Sequence, residues 1–428
     1  MSFMPTFADA EALAEHQLRG LQWTVRHAYN NSPFYGARLE QAGVRPEDIT
    51  SLDDLAKLPF TTADDLRATY PFALLSVDPH EIVRVHASTG TTGKRKVLPY
   101  TAKDINDWAN MFARCYEMAG LTAEDRVQIM VGYGVWTAGV GFQLGCERFG
   151  ALAIPAGPGN LDMQCDFLVD FQTTTLCCTS SMALLIAEEV RRRGLKDKIA
   201  VNKVICGSER TSDAMRQTIG RELGAEIFDI PGMTELYGPG TGLECSAHQG
   251  IHYWADYYIL EMVDPVSLEP VEPGELGEMV VTTLCKQAAP LIRYRTRDLT
   301  RLILGDCPCG SPLPRHDRIL GRSDDMIIFR AVNIYPGQID AILSQAEGVA
   351  SEYQIILSRE GDGKDYMLIK IERAENGSPG DDAAVAAAIA GAVKSQLMVS
   401  PQVEVVDYAG LPRTERKSQR VFDRRFDD

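Results

Sequence analysis

No stretch of this 428-residue chain approaches the ~20 consecutive apolar residues that a membrane-spanning helix needs. Positive charge is scarce beside negative: 43 Lys and Arg stand against 59 Asp and Glu, a net charge of −16. That balance excludes nucleic acid and an anionic membrane surface as main partners, since the chain as a whole repels both. It does not exclude a local basic site. The opening Met1-Ser2-Phe3-Met4-Pro5 lacks the basic and apolar regions of a secretion signal. The ten cysteines are mostly scattered in apolar context, as at Cys177-Cys178, and read as reduced core thiols. A cytoplasmic protein is expected. Internal repeats and low-complexity tracts are missing as well.

A Walker A loop is also missing, but a relative of its chemistry is present. His86-Ala87-Ser88-Thr89-Gly90-Thr91-Thr92-Gly93-Lys94 follows a short apolar alternation, Ile82-Val83-Arg84-Val85, that reads as a strand. Backbone N–H groups, four hydroxyls and a mobile cation are what a polyphosphate needs. The glycines are only three apart and Lys94 precedes Arg95, so G-x-x-x-x-G-K-[ST] fails. Alone, such a cluster more often marks a polar hairpin turn.

The apolar content of 45% and the length provide for a large domain plus a smaller one. Residues 8–44 read as helical, and residues 101–119 as a helix opened by a capping Thr101. Strands at 126–131, 151–155, 175–178, 201–206 and 225–230 alternate with helices at 139–149, 161–171, 181–193 and 212–223. This alternation predicts an α/β domain with a mostly parallel sheet, whose ligands gather at the carboxyl ends of the strands. From Tyr253 to Thr300 the pattern becomes β-rich. Residues 326–428 read as a small α+β domain, with strands around Tyr353 and Met367, a helix over 381–397 and a last strand around Val403. The boundary falls in Gly321-Arg322-Ser323-Asp324-Asp325, giving domains of 1–323 and 324–428.

Several stretches carry groups suited to a nucleotide, each with an ordinary alternative. Gly207-Ser208-Glu209 ends one strand. Asp229 and Ile230 end the next, which runs into Pro231-Gly232-Met233-Thr234-Glu235. There Thr234 offers a hydroxyl to phosphate and Glu235 an oxygen ligand to Mg²⁺, although the segment also reads as a turn before a helix. Asp298, in Tyr294-Arg295-Thr296-Arg297-Asp298, can accept from ribose hydroxyls. Arg322 and Asp324 sit in a charged linker, and Lys417 in the basic run Glu415-Arg416-Lys417-Ser418-Gln419-Arg420; such runs are usually solvated surface.

In this order and spacing the stretches resemble the adenylate-forming enzymes, most closely their phenylacetate–CoA ligase branch, over nearly the whole chain. The resemblance implies a large adenylation domain and a small mobile one. It implies a two-step reaction: a carboxylate attacks the α-phosphate of Mg-ATP to give an acyl-adenylate and pyrophosphate, and a thiol then attacks the acyl carbon. Ser88, Thr89, Gly90, Thr91, Thr92, Gly93 and Lys94 are then the phosphate loop. Ser208, Glu209, Asp229, Ile230, Gly232 and Met233 line the adenine side, and Thr234 and Glu235 serve phosphate and Mg²⁺. Asp298 binds ribose, Arg322 contacts the nucleotide, Asp324 is the hinge, and Lys417 is the lysine the small domain delivers to the α-phosphate.

The same branch places Gly132-Tyr133-Gly134-Val135-Trp136 at the acyl pocket. Tyr133 and Trp136 would form an aromatic slot for a flat acid beside Gly134 and Gly207, although Trp136 reads equally as core. The branch also carries a cysteine and a histidine upstream of a C-P-C-G knuckle. On that basis a structural Zn²⁺ is expected on Cys245, His252, Cys307 and Cys309, with His248 as competing histidine. Three positions depart from the branch: Arg297 replaces Gly in Y-R-T-G-D, Ala331 replaces Gly in R-G-V-N, and Arg416 replaces the Gly before Lys417. Ala331 belongs to the segment lining the pantetheine channel, so the acceptor stays open between CoA, an amine and a carrier-protein thiol. A non-catalytic adenylate-binding protein is a further alternative. ATP, Mg²⁺, CoA and an aryl acid are the expected small molecules, and a homodimer the expected assembly.

Overall fold

In this computed structural model, described for residues 2–68, 70–72, 74–88, 95–209, 211–330, 332–360, 364–412 and 420–425, a proline sets the first break in the chain. Helix α1 (Ala10–Asn31) is capped by the Asp9 carboxylate, which accepts from Ala12 N at 2.8 Å. It stops at Ser32, which is extended because it precedes Pro33, and α2 (Pro33–Gln41) begins there. The single helical stretch expected over 8–44 is therefore two helices. After α3 (Ala63–Ala68) come β1 (Arg84–Ala87) and β2 (Val97–Tyr100), an antiparallel pair in register from Arg84↔Tyr100 to Ala87↔Val97. The expected strand at 82–85 is thus two residues later and forms one arm of a hairpin. Thr101 then caps α4 (Ala102–Met118) in a reciprocal box with Asp104.

The α/β alternation follows as expected, to within a few residues. It runs β3 (Arg126–Ile129), α5 (Ala138–Phe149), β4 (Leu152–Ile154), α6 (Leu161–Asp170), β5 (Thr175–Thr179), α7 (Ser180–Arg193), β6 (Lys203–Gly207), α8 (Asp213–Leu223) and β7 (Glu226–Ile230). The strands form one parallel sheet in the order β4-β3-β5-β6-β7. Alternate residues serve opposite faces. Leu176, Cys178, Val204, Cys206 and Ile227 join the core beneath α6–α8, while Cys177, Ile205 and Phe228 join the larger core on the other side. Both faces being covered explains why these strands read as continuous apolar runs.

A two-residue ladder, β8 (Gly232–Met233) with β9 (Gly238–Pro239), follows. Then come β10 (Gly242–Glu244), β11 (Ile251–Tyr253), β12 (Tyr258–Val263), β13 (Gly277–Thr283), β14 (Tyr294–Thr300), β15 (Leu302–Ile303), β16 (Arg315–His316) and β17 (Gly321–Arg322). They build two four-stranded sheets, β10-β11-β16-β15 and β12-β13-β14-β17.

The remaining chain has its own core around Ile334, Ile355 and Ile369. It comprises β18 (Ile327–Phe329), β19 (Val332–Ile334), α9 (Pro336–Leu343), β20 (Val349–Arg359), β21 (Asp365–Arg373), α10 (Asp382–Leu397), β22 (Gln402–Val406) and β23 (Val421–Asp423). The sheet order is β22-β21-β20-β23. The strand around Val403 is therefore not the last: β23 returns parallel to β20, and the β18–β19 hairpin and α9 add to the expected elements. This lobe touches the large one at α7 and α8: Arg191 pairs with Glu375, Tyr408 Oη donates to Glu188 Oε1 at 2.9 Å, and Arg420 reaches Met215 Sδ at 3.8 Å. Among the described residues no helix is long and apolar enough to cross a membrane.

Candidate active site

In the order β4-β3-β5-β6-β7 the chain leaves β3 first to one side and then to the other, so a crevice opens beyond the carboxyl ends of β3 and β5. Tyr133 and Gly134 follow β3, Gly207 ends β6 and Ile230 ends β7. Gly207 packs so tightly that an added Cβ would lie 2.2 Å from Ile230 O. Ser208 next to it has φ +72, and Glu209 Oε1 accepts from Ser181 N, in the first turn of α7, at 2.6 Å. Asp229 N donates to Glu244 Oε2 at 3.1 Å, and Arg216 lies 3.7 Å from the Asp229 carboxylate.

The hairpin β1–β2 carries the hydroxyl-rich loop at its tip. Ser88 N donates to Lys96 O at 3.0 Å, and Lys96 N donates to Ser88 Oγ at 3.1 Å, closing the base of the loop. Thr89, Gly90, Thr91, Thr92, Gly93 and Lys94 lie outside the described residues, as do Ala331, Arg416 and Lys417.

Glu235 is buried beside this hairpin. Its Oε1 pairs with Lys96 Nζ and accepts from Tyr294 Oη at 2.9 Å. Burial alone would raise its pKa; the Lys96 ammonium and the hydrogen bonds outweigh that, and the carboxyl ends below its ordinary value. Thr234, also buried, presents its carbonyl to Tyr100 Oη at 3.3 Å. Beneath the turn lies a fully buried lysine, Lys286, whose Nζ donates to Glu235 O at 2.8 Å and Leu236 O at 2.5 Å. Its ammonium lies 5.1 Å and 5.0 Å from the Tyr100 and Tyr237 ring centres. Burial pulls its pKa down to about 8. Lys96, Lys286 and the Tyr294 hydroxyl escaped the sequence reading. A lone lysine amid Leu284-Cys285 and Ala288-Ala289 was the available signal for Lys286. Nothing local marks Lys96 apart from its alternation with Lys94.

On the ribose side, Asp298 in β14 stands opposite Arg322 in β17, with Nη1 3.1 Å from Asp298 Oδ1. The same guanidinium makes two 2.9 Å bonds to Asp324. Burial opposes its charge, and the Asp324 and Asp298 carboxylates more than offset that, so its pKa is raised. Arg297 adopts φ +71, a left-handed conformation that suits the glycine it replaces in the resembling branch. Its carbonyl accepts from Ser323 N at 2.7 Å, and its Nη1 lies 3.5 Å from Glu278, which also holds Arg295 through two bonds.

Around the expected acyl pocket, Tyr133 and Trp136 are half-buried, and their rings cover glycines. A Cβ on Gly139 would lie 2.7 Å from the Tyr133 ring, and one on Gly132 3.2 Å from Trp136. Among the described residues neither the buried Tyr133 hydroxyl nor the buried His86 Nε2 has a hydrogen-bond partner. His86 Nδ1 faces Val135 O at 3.1 Å, and burial lowers its pKa, so the ring is neutral at pH 7.

Cys245, His252, Cys307 and Cys309 converge on the β10–β11 edge, with ligand atoms all within 4.8 Å of one another. The Cys245 and Cys307 sulfurs are 3.6 Å apart, and Cys309 Sγ is 3.3 Å from His252 Nε2. His252 Nδ1 lies 2.8 Å from Leu313 O, which orients Nε2 towards the thiols. His248 is turned away, to Glu226 at 3.1 Å.

Residues 38–285 match the family model for AMP-binding enzymes, and residues 331–425 match that for the AMP-binding enzyme C-terminal domain. A phenylacetate–coenzyme A ligase of Pseudomonas putida is 40% identical over 98% of this chain and 96% of its own. Among solved structures, 2-hydroxyisobutyryl-CoA ligase in the postadenylation state, bound to R3-HIB-AMP, superposes with TM-score 0.86 at 28% identity, covering 97% of this chain and 90% of that one. The same enzyme in its thioesterification state, with 2-HIB-AMP and CoA, gives TM-score 0.71 at 28% identity over 98% and 91%.

Proposed function

The chain belongs to the AMP-binding enzymes and, within them, to the phenylacetate–CoA ligases, and on that premise we propose that it converts an aryl carboxylic acid, ATP and CoA into aryl-CoA, AMP and pyrophosphate. The observation that carries this is the 40% identity to such a ligase across 98% of the chain. In the first step a carboxylate oxygen attacks the α-phosphorus and the bond to pyrophosphate breaks. In the second, the CoA sulfur attacks the acyl carbon and AMP leaves.

The first step needs two anions aligned and neutralised rather than a proton moved. Ser88 through Lys94 hold the β- and γ-phosphates, and Lys417 meets the α-phosphate. Lys96 and Tyr294 fix the Glu235 carboxylate at the mouth of the sheet. Ser208, Glu209, Asp229, Ile230, Gly232 and Met233 line the adenine side. Asp298, held by Arg322, takes the ribose hydroxyls. Tyr133, Gly134, Trp136 and Gly207 bound the acid. The contacts from Lys96 Nζ and Tyr294 Oη both fall on Glu235 Oε1, and one carboxylate suits a cation bound chiefly through phosphates. Thr234 and Glu235 would thus hold Mg²⁺, which when bound offsets phosphate charge.

Residues 1–323 form the adenylation domain and 324–428 the mobile one, turning about Asp324. The higher superposition on the postadenylation state than on the thioesterification state supports a small lobe standing here as it does before thiol attack. We also propose a structural Zn²⁺ on Cys245, His252, Cys307 and Cys309. Sulfurs 3.6 Å apart and an oriented imidazole fit a tetrahedral ion. Chelation should release close to one zinc per chain and lower the melting temperature; native protein without zinc would refute the site. The unpaired thiols support a reducing, cytoplasmic setting, and a homodimer is proposed, to be checked by light scattering. The function itself is tested by scoring a panel of aryl acids for CoA-dependent AMP release. Phenylacetate-like acids should give it, and pyrophosphate exchange without CoA-dependent release would redirect the acyl group to another acceptor.

A further inference from the structure

Four main-chain carbonyls in succession, those of Thr234, Glu235, Leu236 and Tyr237, converge on two buried side chains. The Lys286 ammonium takes the inner pair, Glu235 O at 2.8 Å and Leu236 O at 2.5 Å. The Tyr100 hydroxyl is shared by the outer pair, Thr234 O at 3.3 Å and Tyr237 O at 3.0 Å. Both side chains are fully buried. Among the described residues the partners of the ammonium are these two carbonyls and the Tyr100 and Tyr237 rings, with no carboxylate in contact. A charge buried in this way is costly, because carbonyls and rings offset less of its lost hydration than a carboxylate does. Packing alone does not require the charge.

Both residues belong to segments that are fixed from elsewhere. The first turn of α4 clamps the stretch around Lys286. The Asp104 carboxylate accepts from Gln287 N at 2.7 Å and Ala288 N at 2.9 Å, and Lys103 Nζ donates to Cys285 O at 3.1 Å. Tyr100 ends β2, which Lys96 immediately precedes. One arm of the hairpin thus supplies Lys96 to the Glu235 carboxylate and Tyr100 to the main chain on either side of that residue. Glu235 is held by separate cations, Lys96 on its side chain and Lys286 on its main chain.

We propose that Lys286, assisted by Tyr100, is a positioning residue for adenylation: it fixes the main chain of the turn so that the Glu235 carboxylate stands where the cation on ATP meets it. The inference rests on Glu235 having that role. Mg²⁺ demands near-ideal geometry at about 2.0–2.1 Å, so a small displacement of one carboxylate is enough to weaken its contact.

The experiment measures ATP binding by calorimetry at pH 7, with Mg²⁺ and with EDTA, in the wild type, Lys286→Met, Glu235→Gln and the double variant. Methionine is flexible and fills much of the same space without the charge or the donors. Lys286→Met should bind Mg-ATP about tenfold more weakly, the loss expected for a hydrogen bond from a charged group, and metal-free ATP as tightly as the wild type does. In the Glu235→Gln background the same substitution should cost less than about twofold, because Lys286 acts through a carboxylate that is already gone. Tyr100→Phe keeps the ammonium and removes the hydroxyl from the outer carbonyls; it should weaken Mg-ATP by about threefold, again sparing metal-free ATP. Unchanged Mg-ATP affinity in Lys286→Met, or in Tyr100→Phe should the methionine variant not fold, would overturn the proposal. So would equal losses for Mg-ATP and metal-free ATP, the mark of a merely structural lysine, or a full tenfold loss in the Glu235→Gln background. Mg-ATP binding untouched by Glu235→Gln itself would overturn the reading of Glu235 and this inference with it.

Discussion

Glu235 sits in a site where one charge decides two things. Its carboxylate balances the Lys96 ammonium, and it is the proposed oxygen ligand for the cation on ATP. Glu235→Gln keeps the shape and a bond to Tyr294 but removes the charge. Adenylate formation, read as ATP–pyrophosphate exchange, should then fall by about 10²–10³; an unchanged rate would remove Glu235 from the mechanism. Arg297 tests the opposite quantity. Its φ of +71 is a strain that glycine does not feel, and Glu278 keeps Arg295 and Ser323 when Arg297 is gone. Arg297→Gly should raise stability by about 0.5–1 kcal/mol, the left-handed strain less the greater chain entropy of glycine. A lower urea midpoint would show that the 3.5 Å approach to Glu278 is worth more than the strain. The sequence exposed Arg297 as a misfit because one residue type at one position carries that information. It did not expose Lys96 or Lys286, whose roles arise only when residues 139 and 51 positions away fold against them.

At the scale of elements, the linker Arg322-Ser323-Asp324 is fastened to the large lobe. Arg322 spans Asp298 and Asp324, and Ser323 binds both Arg297 O and Glu278. A hinge here must exchange the Arg322–Asp324 pair for other partners as it turns. Asp324→Pro fixes φ and deletes that carboxylate. Adenylation should continue near its normal rate, while acyl-CoA formation from supplied acyl-adenylate falls by at least about tenfold; equal survival of both half-reactions would move the hinge elsewhere. Elements differ in how much of themselves they write into local sequence. The five parallel strands were legible because burial on both faces makes each an apolar run. The break at Ser32 is written locally in Pro33, since the residue before a proline is held extended. β23 was not legible, because its three residues pair with β20 more than sixty positions earlier and carry no pattern of their own. The four metal-ligand candidates were legible only through resemblance, since a strand edge and a knuckle 62 residues apart meet by tertiary packing.

Over the whole molecule, the thiols buried on both faces of the central sheet set an alkaline limit. Burial pushes Cys146 up to about 12, and Cys165 and Cys206 to about 11, and Cys177 and Cys178 rise well above their ordinary value. In the unfolded chain each ionises near its ordinary value of about 8.5. Between that pH and the folded values the native state keeps protons that the unfolded state has lost, so stability falls as pH rises. The contribution is complete below about pH 8.5 and is lost progressively as pH climbs towards 11–12. Lys286 works the other way: its folded pKa of about 8 lies below the unfolded one, so it adds stability as pH rises from 8 towards 10.5. One lysine opposes several thiols and the buried tyrosines, Tyr35 among them at about 12, and the thiols and tyrosines prevail. Thermal melts should show a melting temperature that declines steadily between pH 8.5 and 10.5, reversibly and in the presence of reductant. A flat or rising profile over that interval would mean that the thiols beneath the sheet reach solvent in the native state.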